Sequence, residues 1–193
     1  MADLCTLADV RAFLKKTDTD TADDPVVQML ITAASDEITN YCSRQFTPDT
    51  GNSQHRFRSS HRMIDLAPYD LQVASAVTLN PQSSSPTTLT EWTDYELLPI
   101  DGDANLRTFY ILKLYRHLTC RSHYIIDIHG TWGAASIPPI VNQSAYVTVA
   151  EWYRAKVAGF STTFNEDGVH VAPAPLPTMV RGWLTDFVRH PQA

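Results

Sequence analysis

The chain has 193 residues, 44% hydrophobic and 19% charged, and its 15 Lys and Arg against 21 Asp and Glu give a net charge of −6. That composition excludes a disordered chain, and the acidic balance argues against a protein that wraps nucleic acid, because phosphate affinity comes mainly from Lys and Arg. Three cysteines without a Cys-x-x-Cys spacing read as free thiols in a reducing cytoplasm, no secretory leader is evident, and no apolar run nears the roughly 20 residues of a membrane span.

Thr6 precedes an apolar stripe of Leu7, Val10 and Leu14, and Asp9 stands three residues after it. This predicts a first helix over about 7–16 that starts on a capping box. Lys15 and Lys16 fall in its last turn, where they complement the helix dipole. The acidic stretch from Thr17 to Asp24 reads as a loop. Asp24-Pro25 then opens a second helix over 25–42, with Asp24 as N-cap and Pro25 at the first helical position. Its stripe is Val27, Leu30, Ile31, Ala34, Ile38 and Tyr41.

From Thr47 to Ser53 the chain turns to Pro, Asp, Gly and Asn, and β-branched or alternating runs follow. Strands are predicted near Gln54–Arg58, Arg62–Leu66, Ala74–Asn80, Asp94–Pro99, Arg107–Leu112 and His123–His129. Pro81–Thr88 reads as a flexible turn, and Asp101-Gly102-Asp103 as a tight hairpin. Pro138-Pro139 opens a third helix over 138–158. Its apolar set, from Ile140 and Val141 through Ala145, Val149 and Tyr153 to Val157, is too wide for one stripe. The second helix covers one side, and the β-region or a neighbouring subunit covers the other. Phe160–Pro175 has no regular period. Leu176-Pro177 starts a last helix to about His190, and Gly182 inside it predicts close packing, since glycine there costs about 1 kcal/mol relative to Ala. The fold class is α+β: a helical bundle of about four helices with an inserted antiparallel β-rich subdomain. Residues 1–46 form the N-terminal helical pair, 47–136 the β-rich subdomain, and 137–193 the helices and loop that complete the bundle.

No reaction centre stands out. The chain has no G-x-S-x-G elbow, H-E-x-x-H, Walker loop or G-x-G-x-x-G, so no catalytic residue is assigned. His117-x2-Cys120-x2-His123 is the nearest approach to a zinc set, but it holds one cysteine and has no second pair. Strand alternation puts His123, Ile125, Asp127 and His129 on one face, a mixed polar face that needs no metal. No metal and no cofactor are expected. Gln54–Arg62 is a basic patch, with His55 and His61 among Arg56, Arg58 and Arg62. It is either a contact for an acidic surface or DNA phosphate, or a solvated hairpin. Trp152 and Tyr153 read as core, while Trp183 and Phe187 either fold back or dock into a partner's groove.

Several patterns follow one another along the chain. Leu4-Cys5-Thr6-Leu7-Ala8-Asp9-Val10-Arg11-Ala12-Phe13-Leu14 leads through an Asp-rich link to Ile31–Ile38 and Tyr41-Cys42-Ser43-Arg44-Gln45-Phe46. Thr93–Leu97, Gly130-Thr131-Trp132-Gly133, Ile137-Pro138 and the helix Ala145–Arg154 complete the order. Together they resemble the head–tail connector (adaptor) proteins of tailed bacteriophages, over about two-thirds of the chain. That family often has glycine after the second helix, where this chain has Cys42 and Ser43.

The resemblance implies a structural phage neck protein, not an enzyme. It would be a head-to-tail adaptor that forms a ring, commonly twelvefold, under the portal protein. The ring extends the DNA channel and offers an attachment surface to a neck stopper or tail-terminator protein. Genomic DNA transits without sequence-specific binding, and an acidic wall suits that passage. The protein resides in the virion neck after assembly in the host cytoplasm, with no membrane partner. Three surfaces are expected. Trp183, Leu184, Phe187 and Arg189 dock on the portal. Phe160, Phe164, Asp167 and Val171 lie in a loop that orders on assembly. Arg56, Arg58 and Arg62 of one subunit face Asp18, Asp20, Asp23 and Asp24 of the next, so that salt weakens the ring. The wide apolar third helix fits side-by-side packing. The rival readings are a neck stopper or tail-completion protein, a monomeric β-rich binding module using Trp92 and Tyr95, and a small zinc enzyme.

Overall fold

A computed structural model describes residues 3–16, 21–49, 51–103, 106–115, 123–157 and 175–189. The chain forms two compact units, Met1–Cys42 with Ile137–Val188, and Ser43–Ser136 with Arg189–Ala193. The first is helical and the second is made of two antiparallel sheets, so the α+β class read from the sequence is the class observed.

The helical unit starts with α1 (Leu7–Leu14). Its capping box is complete: the Thr6 hydroxyl accepts from the Asp9 N–H at 3.2 Å, and the Asp9 carboxylate accepts from the Thr6 N–H at 3.1 Å. It stops before Lys16 because Lys15 takes a left-handed conformation, φ 56°. Helix α2 (Asp24–Cys42) begins one residue earlier than expected, since the Asp23 carbonyl already accepts from Val26 and Val27. The Asp24 side chain is therefore not the cap; it binds Arg11 at 2.9 Å. Val27, Ile31, Ala34 and Ile38 are fully buried, but the buried arc turns toward Ser35, Thr39 and Cys42 and leaves Tyr41 exposed.

Helix α3 (Pro139–Val157) is buried on most sides, through Val141, Ser144, Ala145, Val147, Thr148, Val149 and Ala150. The two hydroxyls donate back along the helix, Ser144 to the Ile140 carbonyl and Thr148 to the Ser144 carbonyl, so neither is left unsatisfied. Helices α1, α2 and α4 (Thr178–Leu184) all pack against it. The second cover that the sequence reading assigned to the β-region or a neighbouring subunit is supplied by α1 and α4. Covered by α1, α2 and α4, helix α3 keeps little of its apolar surface for side-by-side packing. After α4 a single 3-10 turn, Thr185–Phe187, ends the helical part. The close packing expected at Gly182 is not there: a Cβ at that position would meet nothing within 4 Å.

The β unit has seven strands among the described residues: β1 (Ser53–Ser59), β2 (Met63–Asp65), β3 (Leu71–Leu79), β4 (Thr87–Leu89), β5 (Tyr95–Leu98), β6 (Ile111–Leu114) and β7 (Tyr124–Trp132). One sheet runs β1-β7-β3-β4 and the other β2-β6-β5. Strand β4 lies where a flexible turn was expected, and pairs Leu89, Thr88 and Thr87 with Val77, Thr78 and Leu79. Gly102 turns the chain at φ +75°, but β5 and β6 pair Leu98 with Ile111, so the connection is far longer than a tight hairpin. Both sheets feed one core, which includes Ile64, Leu66, Leu97 and Leu112 with Val77, Ile126, Ile128 and Trp132.

The Gly130-Thr131-Trp132-Gly133 motif has a steric basis. A Cβ on Gly130 would lie 2.3 Å from the Val73 carbonyl oxygen, and one on Gly133, at φ +80°, 1.9 Å from that of Thr47. Between them Trp132 is fully buried and its Nε1–H donates to the Ser53 carbonyl at 3.1 Å. The glycines let two segments of backbone close on the indole.

Candidate assembly interface

The segment Ser43-Arg44-Gln45-Phe46 leaves α2 through a left-handed residue, Ser43 at φ 51°. That is the helix position where glycine is preferred, which accounts for the glycine often found there in the resembling family. Arg44, 3% exposed, then enters the β unit. Its Nε and Nη2 lie 3.1 and 2.7 Å from Asp70 Oδ1, and its Nη1 lies 3.2 Å from Asp103. Thr108 accepts from Arg44 and donates to Asp70, while the Gln45 N–H donates to the second Asp70 oxygen. Burial alone pushes the Arg44 guanidinium down, but Asp70 and Asp103 outweigh it and hold its pKa above the ordinary arginine value.

Arg189 joins the same centre on different terms. It is 8% exposed, stands 3.6 Å from Asp65 and 3.9 Å from Asp70, and lies over the Tyr110 ring at 4.9 Å. Its three nitrogens have no hydrogen-bond partner among the described residues. Burial pushes its pKa down. Sequence reasoning did not single out Arg44 or Asp70. The available signal was an arginine between a helix end and a buried aromatic, with its aspartate far along the chain.

The residues expected at a subunit interface mostly have partners within the chain. Arg56 is bidentate to Asp127, with both contacts at 2.7 Å, and holds that carboxyl below its ordinary range. Arg62 donates to the Leu114 and Tyr115 carbonyls. Arg58 is exposed. Asp23 accepts from the Tyr153 hydroxyl, is 3.1 Å from Lys16 and 3.6 Å from Lys156, and is held low chiefly by Tyr153. Asp24 is held by Arg11, and Asp18 and Asp20 lie outside the described residues. His55 is not part of a solvent-facing basic patch. It stacks on Tyr69 at 3.9 Å and meets Trp132 edge-on, and burial lowers its pKa.

At the other end of the chain, Trp183 is half-buried, whereas Leu184, Phe187 and Arg189 are buried. Phe160, Phe164, Asp167 and Val171 lie outside the described residues, as do His117 and Cys120. Among the described residues no three His, Cys, Asp or Glu side chains gather as metal ligands would, and no helix is long and apolar enough to cross a membrane. The exposed large apolar side chains include Trp92 at 60% and Val73 at 62%.

No curated protein matches the chain. Solved structures do. A chain in the neck of an empty GTA particle, computed with C6 symmetry, is 14% identical with a TM-score of 0.59, over 98% of this chain and 92% of that one. A chain in the neck of a native GTA particle, computed with C12 symmetry, is 14% identical with a TM-score of 0.55, over 97% and 90%. A chain in the virion of a native gene transfer agent (GTA) particle is 16% identical with a TM-score of 0.53, over 98% and 91%. At these identities the likeness is one of fold. The description that reaches further is the family match, "Head completion protein", which spans residues 3–188. With nearly the whole chain inside that match, this protein belongs to the head completion protein family.

Proposed function

We propose that this chain is a head-to-tail adaptor in the neck of a phage-type particle. In this reading it forms a ring, commonly twelvefold, under the portal protein and extends the DNA channel. It then offers a surface to a neck stopper or tail-terminator protein. The observation that carries the reading is the family match over residues 3–188. The C6 and C12 symmetry of the necks whose chains it resembles supports a ring by analogy. Its acidic balance, −6 overall, suits a wall past which genomic DNA moves without sequence-specific binding.

The test is particle imaging and mass measurement of the full chain mixed with the portal protein of its own particle. A symmetric ring capping the portal supports the adaptor role; a folded chain that makes no complex sinks it. Portal docking through Trp183, Leu184, Phe187 and Arg189 asks the segment to leave its packing, because three of the four side chains are buried. A photo-crosslinker at position 183 should capture the portal if the segment docks there. Capture only within the chain itself would remove this part of the proposal. The stretch around Phe160, Phe164, Asp167 and Val171 is proposed to lie at an interface, with reduced protease sensitivity in the assembly as its mark.

A further inference from the structure

Trp92 is out of keeping with its surroundings on two counts. It is 60% exposed, and its backbone lies at φ +65°, where bulky L residues are rare. The turn that holds it is well made. The Thr90 carbonyl accepts from the Thr93 and Asp94 N–H groups, the Asp94 carboxylate accepts from the Thr90 N–H at 3.0 Å, and the Trp92 N–H donates to the Tyr95 carbonyl at 2.8 Å. Glycine or asparagine would sit in this conformation with less strain and would expose no indole. A strained backbone that presents a large aromatic to solvent points to a contact outside the chain. Glu91, beside it, is exposed as well.

A surface suited to this turn lies on the same unit. In the β1-β7-β3-β4 sheet, Val77, Ile126 and Ile128 face the core. On the opposite face, paired across the strands, Ala76 and Thr78 of β3 and Thr88 of β4 form a low strip beside Ile125, Asp127 and His129 of β7, where Arg56 of β1 is bidentate on Asp127. Ala76, Thr78, Ile125 and His129 are half-buried and Thr88 is exposed. Arg58, opposite Ile125 on β1, puts an exposed positive charge at the rim.

We infer that the Trp92 turn of one copy packs on this sheet face of the next copy, with Glu91 opposite Arg58. Such a head-to-tail contact uses two different surfaces of one chain, which is what a closed ring requires. The occupant is a second copy because the turn carries an exposed carboxylate, Glu91, that complements the exposed Arg58 at the rim. The inference rests on the ring reading above and names its contact.

The experiment uses the full chain with the portal protein of its own particle, read by particle imaging and native mass spectrometry. Trp92→Ala and Arg58→Glu should each lower the ring-bound fraction about tenfold or more, as loss of a central aromatic or a paired charge does. Glu91→Arg combined with Arg58→Glu should restore it. Trp92→Gly, which relieves the backbone, should melt no lower than the wild type while failing to assemble, so a lost contact is told from a lost fold. Single variants that assemble like the wild type, or a charge exchange that restores nothing, overturn this contact and leave the ring reading standing. A wild type that forms no ring removes the ring reading and the contact with it.

Discussion

Arg44 and Arg189 approach the same aspartate, and substitution should separate them by sign. Arg44 is hydrogen-bonded to Asp70, Asp103 and Thr108, so Arg44→Met leaves the Asp70 carboxylate buried without its hydrogen-bonded cation, with only Thr108 and the Gln45 N–H among the described residues still donating to it. The expected loss is about 3–5 kcal/mol. Arg189 is buried without a hydrogen bond among the described residues, so Arg189→Met removes a poorly satisfied cation and keeps an apolar stem of similar reach. A gain of about 1–2 kcal/mol is expected, in line with replacing a buried charge by a packed hydrophobe. Urea unfolding of the two variants decides it, and equal losses would mean that Arg189 is as well paired as Arg44. Gly182 offers a simpler case. It sits inside α4 with open space where a Cβ would go, so Gly182→Ala should stabilise by about 0.5–1 kcal/mol in thermal melts.

The elements differ in how much of them could be read in advance. Helices α1 and α2 were legible because the capping box of α1 and the apolar periods of both are local, within one or two turns of chain. Strand β4 was not, because Thr87–Leu89 follows a Ser/Pro-rich run and owes its extension to the edge of β3. The Arg44–Asp70 centre was hidden for the same reason: its partners are 26 residues apart, and nothing local marks Asp70 as the acceptor. The exit of β7, by contrast, was visible as a motif before its purpose was. Gly133→Ala should cost on the order of 4 kcal/mol, since both the left-handed backbone and the Thr47 carbonyl oppose a side chain. Gly51→Ala meets open space at φ +111° and should lose only the backbone strain, roughly 1–2 kcal/mol. Similar losses at both positions would refute the steric account.

The β1–β7 pair also carries a pH dependence. The hydrogen bonds from Arg56 hold Asp127 below its ordinary value, so the folded state binds fewer protons than the unfolded one through that range. Its stabilisation is complete above the unfolded carboxylate value of about 3.9 and is lost as pH falls through the folded value. Asp127→Asn should flatten part of the fall in melting temperature between about pH 5 and about pH 2.5. Asp23, held low chiefly by Tyr153, and Glu96, held low chiefly by Lys113, contribute to the remainder. An unchanged slope in the Asn variant would count against the Arg56 pair as its source.

At the scale of the whole molecule, the net charge of −6 predicts a chain that does not hold duplex DNA. At about 0.15 M salt no mobility shift is expected, because too few cations are available to displace counterions. A shift that vanishes in Arg58→Glu would return the basic strand to the phosphate-binding reading.

The helical unit is assembled from the two ends of the sequence, and apart from Arg189–Ala193 the β unit comes from the single stretch between them. Synthesis therefore delivers the halves of the helical core far apart in time. The β unit has its strands in hand once Ser136 has emerged, while α2 still presents Val27, Ile31, Ala34 and Ile38 with α3 not yet made. A long loop must close before those side chains find cover, and such non-local contacts form late. A polypeptide halted at Ser136 should carry its β strands together with an uncovered apolar helix, and should aggregate more readily than the full chain.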